Sequence, residues 1–432
     1  MNIKFISLIL CVTMVMTIFI TGCTVSRDTE KNEPVPNKTG SLKDSTKKVL
    51  KLYCFQNYYS INSDALSEFK KLHKDIEVDE KALRIEEVES FKVKFATELM
   101  AGEGPDIISL PTFAFPSSGQ LMQRELLCDL NPLISKASDF KVDDYNTSIL
   151  DVGVSESKRY IIPLDYCINY FYTYKSLLDQ NNIKFDTANW TWDSLVNTMK
   201  EYYKGGKGTS KYFFSSLSIY DILSTTESFE DYKNKVSKFN TPEFIKLLKV
   251  YKEILPYICS SNKYNNAPEQ LAKQCVLQSK FGSINSVVDS NNFVKDAVGE
   301  EAIILPHPTV NGGKSTGATA YNLTAITSKC KFKEEAFDFI KMLLSERSQS
   351  LLNNGSPVLK SIFDKQLGEI KNTEKIGPQI TDLVQNIKGC TLSDSNVTQI
   401  ISDQLPDFVS GKKSAEQTAK AIDDKVNLLL NE

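Results

Sequence analysis

The sequence predicts an α/β protein of two domains, and two observations carry that prediction. From Val49 to Leu110 the chain alternates short apolar extended runs with amphipathic helical patterns. Strand, helix, strand, helix, strand is the signature of a parallel sheet joined by right-handed crossovers. The second observation is length. An N-terminal leader of 22 residues leaves 410 of the 432 residues, enough for two domains with separate cores.

The leader, residues 1–22, carries one charge, Lys4, ahead of an apolar run from Phe5 to Ile20. The small pair Thr21-Gly22 then leads into Cys23. This is the pattern of a secretion signal. The run is shorter than the roughly 20 apolar residues of a stable membrane span. Residues 23–48 are polar, contain Pro34, Pro36 and Gly40, and lack apolar periodicity, so they are expected to form a disordered tether. Such a coil has a root-mean-square reach of about 27 Å.

The first strand is expected at Val49–Phe55. A helix follows, with Asn62 or Ser63 as N-cap and Leu66, Phe69 and Leu72 on one face. Ile76-Glu77-Val78 is the next strand. A second helix carries Val88, Phe91, Phe95 and Leu99 and stops at Gly102. Pro105-Asp106 then turns the chain into the strand Ile107–Leu110. An extended, aromatic-rich segment runs from Tyr160 to Tyr174. Helices are expected at Trp192–Tyr203, Pro242–Leu255, Pro268–Gln278, Glu334–Leu344 and Ser414–Leu430. Strands are expected at Phe281–Ile284, Ile303–Pro306 and Ala320–Thr327.

Composition narrows the function. The net charge is −3 and no basic block stands out, which argues against nucleic acid, whose phosphates need concentrated Lys and Arg. Arginine is confined to Arg27, Arg84, Arg124, Arg159 and Arg347, which weighs against a strongly anionic ligand. Beyond Cys11 and Cys23 there are seven cysteines, an odd number at wide spacing with no CxxC. They form neither a disulfide framework nor a zinc ribbon and are expected as small buried hydrophobes, with one or two disulfides left open. Enzyme motifs are absent. His73 and His307 are the two histidines, there is no GxSxG or HExxH, and Gly205-Gly206-Lys207-Gly208-Thr209 lacks P-loop spacing. No catalytic residue, metal site or cofactor is expected. Asp143-Asp144 and Asp423-Asp424 are expected as solvated charge.

Several motifs lie in one order along the chain. They are Gly102-Glu103-Gly104-Pro105-Asp106-Ile107; Leu126-Leu127-Cys128-Asp129-Leu130, with Glu125 where glycine is usual; and Tyr172-Thr173-Tyr174-Lys175-Ser176-Leu177-Leu178. Trp190-Thr191-Trp192-Asp193-Ser194-Leu195 comes next, then Ala325-Ile326-Thr327-Ser328-Lys329 with Glu335–Ile340, and Asn354-Gly355-Ser356-Pro357. From Val49 to the C-terminus this pattern resembles solute-binding family 1, the maltose-binding-protein-like receptors of ABC importers. Ile20-Thr21-Gly22-Cys23 resembles the lipobox of bacterial lipoproteins.

The resemblance implies a two-lobed periplasmic-binding-protein-like (type II) fold whose chain crosses between lobes three times. The crossings would lie near Pro163–Tyr166, Gly317–Tyr321 and Pro357–Lys360. Lobe 1 would comprise 49–163 and 319–357, and lobe 2 would comprise 166–316 and 360–432. Cys23 would be lipidated, holding a monomer at the outer face of the cell membrane through that anchor alone. The partners implied are a small-molecule solute, a sugar above all, and the permease subunits of an ABC importer. A surface sensor or a carbohydrate-active enzyme are the alternatives. Ligand contacts are expected where aromatic and polar side chains follow strands. Those are Gln56, Asn57 and Tyr58; Thr112 and Phe113; Asp165 and Tyr166 at the first crossing; Asn285 and Ser286; and Tyr321 at the second. Members of the family often carry glycine and tryptophan near Asn285, where this chain has Val287 and Val288.

Overall fold

The computed structural model describes residues 48–56, 59–206, 210–259, 274–373 and 375–432. The leader, Cys23, the tether as far as residue 47, Asn57 and Tyr58 lie outside the described residues, and Lys48, expected as the tether's last residue, opens the first strand.

In chain order the strands are β1 (Lys48–Phe55), β2 (Ile76–Leu83), β3 (Ile107–Pro111), the small hairpin β4 (Val154–Ser155) and β5 (Lys158–Arg159), β6 (Ile162–Pro163) and β7 (Asp165–Tyr174). They continue with β8 (Tyr212–Phe214), the hairpin β9 (Glu230–Asp231) and β10 (Val236–Ser237), β11 (Cys275–Gly282) and β12 (Ala302–Pro306). The last four are β13 (Thr316–Ala320), β14 (Asn322–Ile326), β15 (Ser356–Pro357) and β16 (Ile387–Thr391).

Two main sheets result. The first has the order β2-β1-β3-β14-β6, with β1 parallel to both β2 and β3 and β14 antiparallel to β3 and β6. The second has the order β16-β13-β7-β11-β8, with β12 and β15 also paired to β7. All ten residues of β7 are buried. That is why Asp165–Tyr174 reads as a nearly continuous apolar and aromatic run rather than an alternating one.

The chain passes from the first sheet to the second at Leu164, between β6 and β7. It returns at Tyr321, between β13 and β14, and leaves again at β15, which pairs with Asp165 and Tyr166 of β7. The second sheet extends through Ala320, because Thr319 and Ala320 pair with Cys167 and Tyr166. These two residues therefore sit one strand away from the first lobe to which the sequence assigned them.

The first lobe's core shows why its helices form. In Val88–Ala101, Val88, Phe91, Phe95 and Leu99 fall on one face and are buried, and Gly102 ends the helix at φ 76°. Glu125, at the position where the resemblance places glycine, takes the left-handed conformation at φ 52° and pairs with Lys158. In the second lobe the helix Trp192–Tyr203 is capped by Thr191, whose side chain accepts from Ser194 N. The terminal helix Ala415–Asn431 starts with a reciprocal Ser414–Gln417 capping box and buries Ala419, Ile422, Val426 and Leu430.

Three expectations change. The first helix spans Tyr59–Leu72, so Asn62 is a buried interior residue rather than a cap, and Leu72 is 74% exposed although Leu66 and Phe69 are buried. Cys275–Gln278 is strand rather than helix. Four consecutive buried residues pair there with β7 and β8, and a fully buried strand shows no periodicity that separates it from helix. The remainder of that expected helix, up to residue 273, lies outside the described residues. Finally, the strand expected at Phe281–Ile284 ends at Gly282, because Ser283 caps a helix running Ile284–Val298.

Candidate functional site: the interlobe crossing

The ends of β1, β3 and β11 converge where the chain passes between sheets. Thr112, just past β3, donates its backbone N–H to the Tyr321 carbonyl at 2.8 Å, tying the first lobe to the second crossing. Next to it, Phe113 is 39% exposed and meets the Phe55 ring edge-on at 5.2 Å. On the other lobe, Phe281 near the end of β11 is also 39% exposed and meets the ring of half-buried Tyr321 edge-on at 5.9 Å. Partly exposed rings thus flank the crossing from both lobes, an arrangement suited to the flat C–H faces of a solute. Gln56 is exposed at the end of β1. Exposed Asn285 and half-buried Ser286 sit in the first turn of the helix that follows β11.

Asp165 and Tyr166 occupy a different environment from the one expected of them. Asp165 is fully buried. Its carboxylate accepts from Asn322 N at 2.8 Å and from Asn322 Nδ2 at 2.6 Å. Gly355 packs so closely that a Cβ there would lie 2.4 Å from the carboxyl carbon. Burial pushes the Asp165 carboxyl up to about 7, only partly offset by the Asn322 donors. This group braces β7 against β14 across two crossings. Tyr166 is 1% exposed and packs against Phe363 with ring centroids 6.3 Å apart. Neither side chain is exposed to solvent.

A second set of interlobe contacts lies a few residues beyond Phe113. Ser117 Oγ donates to Asp394 Oδ2 at 2.7 Å, and Gly119 N donates to the same oxygen at 3.2 Å. Ser395 Oγ donates to the Phe115 carbonyl at 3.1 Å. Gln123 Nε2 reaches the carbonyl of Tyr232, in the β9–β10 hairpin, at 3.0 Å. Neither Phe281 nor this seam figured among the residues picked from sequence. Asp394 caps the helix Ser395–Val409, and nothing in the local pattern says that its second oxygen reaches another lobe.

The histidines and tryptophans serve packing. His307 is fully buried between Phe171 and Trp192, at centroid distances of 4.2 and 6.0 Å, and desolvation holds its imidazole below the ordinary range. His73 stacks on Phe69 and lies 3.2 Å from Asp338. Trp190 and Trp192 are each 2% exposed, and Trp190 Nε1 donates to the Pro306 carbonyl at 2.8 Å. All seven cysteines among the described residues are free thiols. Among the described residues no cluster of three or more His, Cys, Asp or Glu is placed to hold a metal ion, and no helix is long and apolar enough to cross a membrane.

Two α/β lobes joined by crossing strands, with aromatic rings displayed at the joint, define a two-lobed binding protein. The sequence matches the model of the bacterial extracellular solute-binding proteins over residues 55–350, and the chain belongs to that family. It is therefore a solute-binding protein acting outside the cytoplasm. Solved structures agree on the fold. An ABC substrate-binding protein from Listeria monocytogenes in complex with cycloalternan is 17% identical, with a TM-score of 0.63, covering 89% of this chain and 99% of its own. A periplasmic oligogalacturonide-binding protein from Yersinia enterocolitica gives the same four values. The sugar-binding protein MalE from Xanthomonas citri is 14% identical, with a TM-score of 0.66, covering 89% of this chain and 98% of its own. No curated protein matches the sequence significantly.

Proposed function

We propose that this protein captures a neutral oligosaccharide between its lobes and delivers it to the permease subunits of an ABC importer, while a lipid on Cys23 keeps it at the outer face of the membrane. The observation that carries the reading is the pair of exposed rings, Phe113 and Phe281, one on each lobe beside Tyr321. Rings offer C–H stacking, and Gln56, Asn285 and Ser286 supply amides and a hydroxyl for sugar hydroxyls. Asn57 and Tyr58 complete the proposed contact set. Thr112, Asp165 and Tyr166 are left out of it, because all three are buried. A solute touching both lobes favours their closed arrangement by its differential affinity. Neutral ligands are favoured over acidic ones because arginine, the usual clamp for carboxylates, is so scarce.

Calorimetric titration with maltotriose, cycloalternan and a galacturonide trimer tests this. The expected result is binding of a neutral sugar and little or none of the galacturonide. Binding of the acidic trimer alone, or of none of the three by folded protein, counts against the reading. For the anchor, mass spectrometry of the membrane-extracted protein is expected to find acyl chains on Cys23, and Cys23→Ser is expected to release the protein into the medium.

A further inference from the structure

We propose that the Ser117–Gly119 turn of the first lobe and the Asp394–Tyr232 pocket of the second form a latch that holds the lobes together before any solute arrives. The affinity consequence rests on the interlobe space being the binding site. The latch itself does not.

The two sides of this contact belong to different cores. Leu121, in the helix that Ser117 caps, packs with Phe95, Leu110 and Phe115 of the first lobe. Val397 and Leu430, on the helices flanking the pocket, pack with Trp192 and Leu247 of the second. Bonds between them therefore join two of the molecule's hydrophobic clusters, one in each lobe, while a third cluster spans both sheets.

Asp394 divides its carboxylate between the two lobes. Oδ1 accepts from Asn396 N at 2.9 Å and so caps its own helix. Oδ2 accepts the two donors from the opposite lobe, Ser117 Oγ and Gly119 N. Asp394 is 3% exposed and Ser117 6%, so the bonds are shielded from water and charge-assisted. When the lobes part, the helix cap survives and only the crossing bonds are lost. Water then solvates the exposed oxygen, so opening strands no buried charge.

Gly119 supplies the steric half of the argument. A Cβ at this position would lie 2.1 Å from the Tyr232 ring, far inside contact distance. Gly119 lies in the helix Ser118–Gln123 and does not have a positive φ, so its backbone accommodates alanine. What excludes a side chain is the ring of the opposite lobe. The Tyr232 hydroxyl is enclosed beside Ser117 and Asp394.

The functional consequence follows from population arithmetic. A ligand that binds only the closed arrangement has an apparent dissociation constant equal to the intrinsic one divided by the closed fraction. A latch that raises this fraction tightens binding with no contact to the solute. Ser117, Gly119, Tyr232 and Asp394 are thus positioning residues.

Small-angle scattering of the full-length, ligand-free protein tests the latch, with thermal melting followed by circular dichroism to monitor the fold. Gly119→Ala is expected to raise the radius of gyration while leaving the melting temperature nearly unchanged. Gly119→Ala with Tyr232→Ala is expected to return the radius toward the wild-type value, because the obstructing ring is gone. Ser117→Ala, which removes one hydroxyl, is expected to give a smaller rise. With maltotriose as probe, Gly119→Ala is expected to raise the apparent dissociation constant about tenfold if the closed fraction falls by that factor. Absence of maltotriose binding would count against the sugar reading and leave the scattering result standing. Unchanged radii in both Gly119→Ala and Ser117→Ala overturn the latch. So does a large fall in melting temperature at unchanged radius, which would mark the seam as a permanent part of one body.

Discussion

Two buried carboxylates, Asp165 and Asp394, join the same two lobes in opposite ways. Asp165 accepts both its donors from Asn322, which lies one residue past the crossing and is held by the ladder of β14. Those donors cannot leave while the sheets are intact. Asp394 accepts its crossing donors from Ser117 and Gly119, on a helix whose core is separate from its own. One carboxylate braces a joint and the other fastens a movable seam. The difference lies in what carries the donors: a partner held in a strand ladder at the crossing fixes geometry, and one carried by a helix of the other lobe makes geometry conditional.

The comparison can be broken most forcefully at the joint. Tyr166→Ala, which empties a fully buried site, is expected to cost about 3–5 kcal/mol in denaturant unfolding, as core aromatic truncations do. A cost below about 1 kcal/mol would put Tyr166 at a surface rather than in the core.

The second test uses pH. Burial raises the Asp165 carboxyl to about 7 in the folded protein, against about 3.9 in an unfolded chain. Between these values the folded state holds the proton that the unfolded state has released. Asp165 therefore lowers stability as pH rises from about 4 to about 7, the reverse of a salt-bridged aspartate. Asp165→Asn removes this slope and is expected to gain about 4 kcal/mol relative to wild type between pH 4 and pH 8. Parallel stability curves for the two proteins would contradict the raised Asp165 carboxyl.

Smaller effects sharpen the contrast. Asn322→Ala deletes one of the two donors to Asp165 and is expected to cost about 1–3 kcal/mol near neutral pH, measured by urea unfolding. Asp394→Asn keeps the helix cap, since asparagine caps as well as aspartate. It is expected to change unfolding stability by less than about 1 kcal/mol, whatever it does to the lobes. If Asp394→Asn proves as costly as Asn322→Ala, the seam is structural and the distinction between the two carboxylates falls.

Much of this architecture is legible in the chain before folding. The 3.6-residue spacing of Val88, Phe91, Phe95 and Leu99 and the stop at Gly102 give that helix outright. Thr191 and Ser414 mark helix starts because their side-chain oxygens have one local use. The buried strands are harder, since Cys275-Val276-Leu277-Gln278 is covered on both faces and carries no period to read. Leu72 fits the apolar stripe of its helix and is nevertheless exposed, because the last turn runs past the edge of the core. In the candidate site, Phe113 comes from asking which residues follow strands, and Asp165 and Tyr321 from the crossings that the resemblance implies. Asp165 is nevertheless fully buried, because position along the chain carries no direction for a side chain. Phe281 escapes because the strand that carries it begins earlier than its composition suggests. The seam is invisible to sequence, since Ser117 and Asp394 are 277 residues apart.

The most direct test is calorimetric titration of a neutral oligosaccharide into the wild-type protein and into a Phe113→Ala, Phe281→Ala double variant, with melting temperatures recorded for both. The account predicts saturable binding to the wild type and at least a tenfold weaker constant in the variant, about 1.4 kcal/mol, at nearly equal melting temperatures. Equal affinity in the two proteins, or no heat from any neutral sugar in a folded wild type, would contradict it.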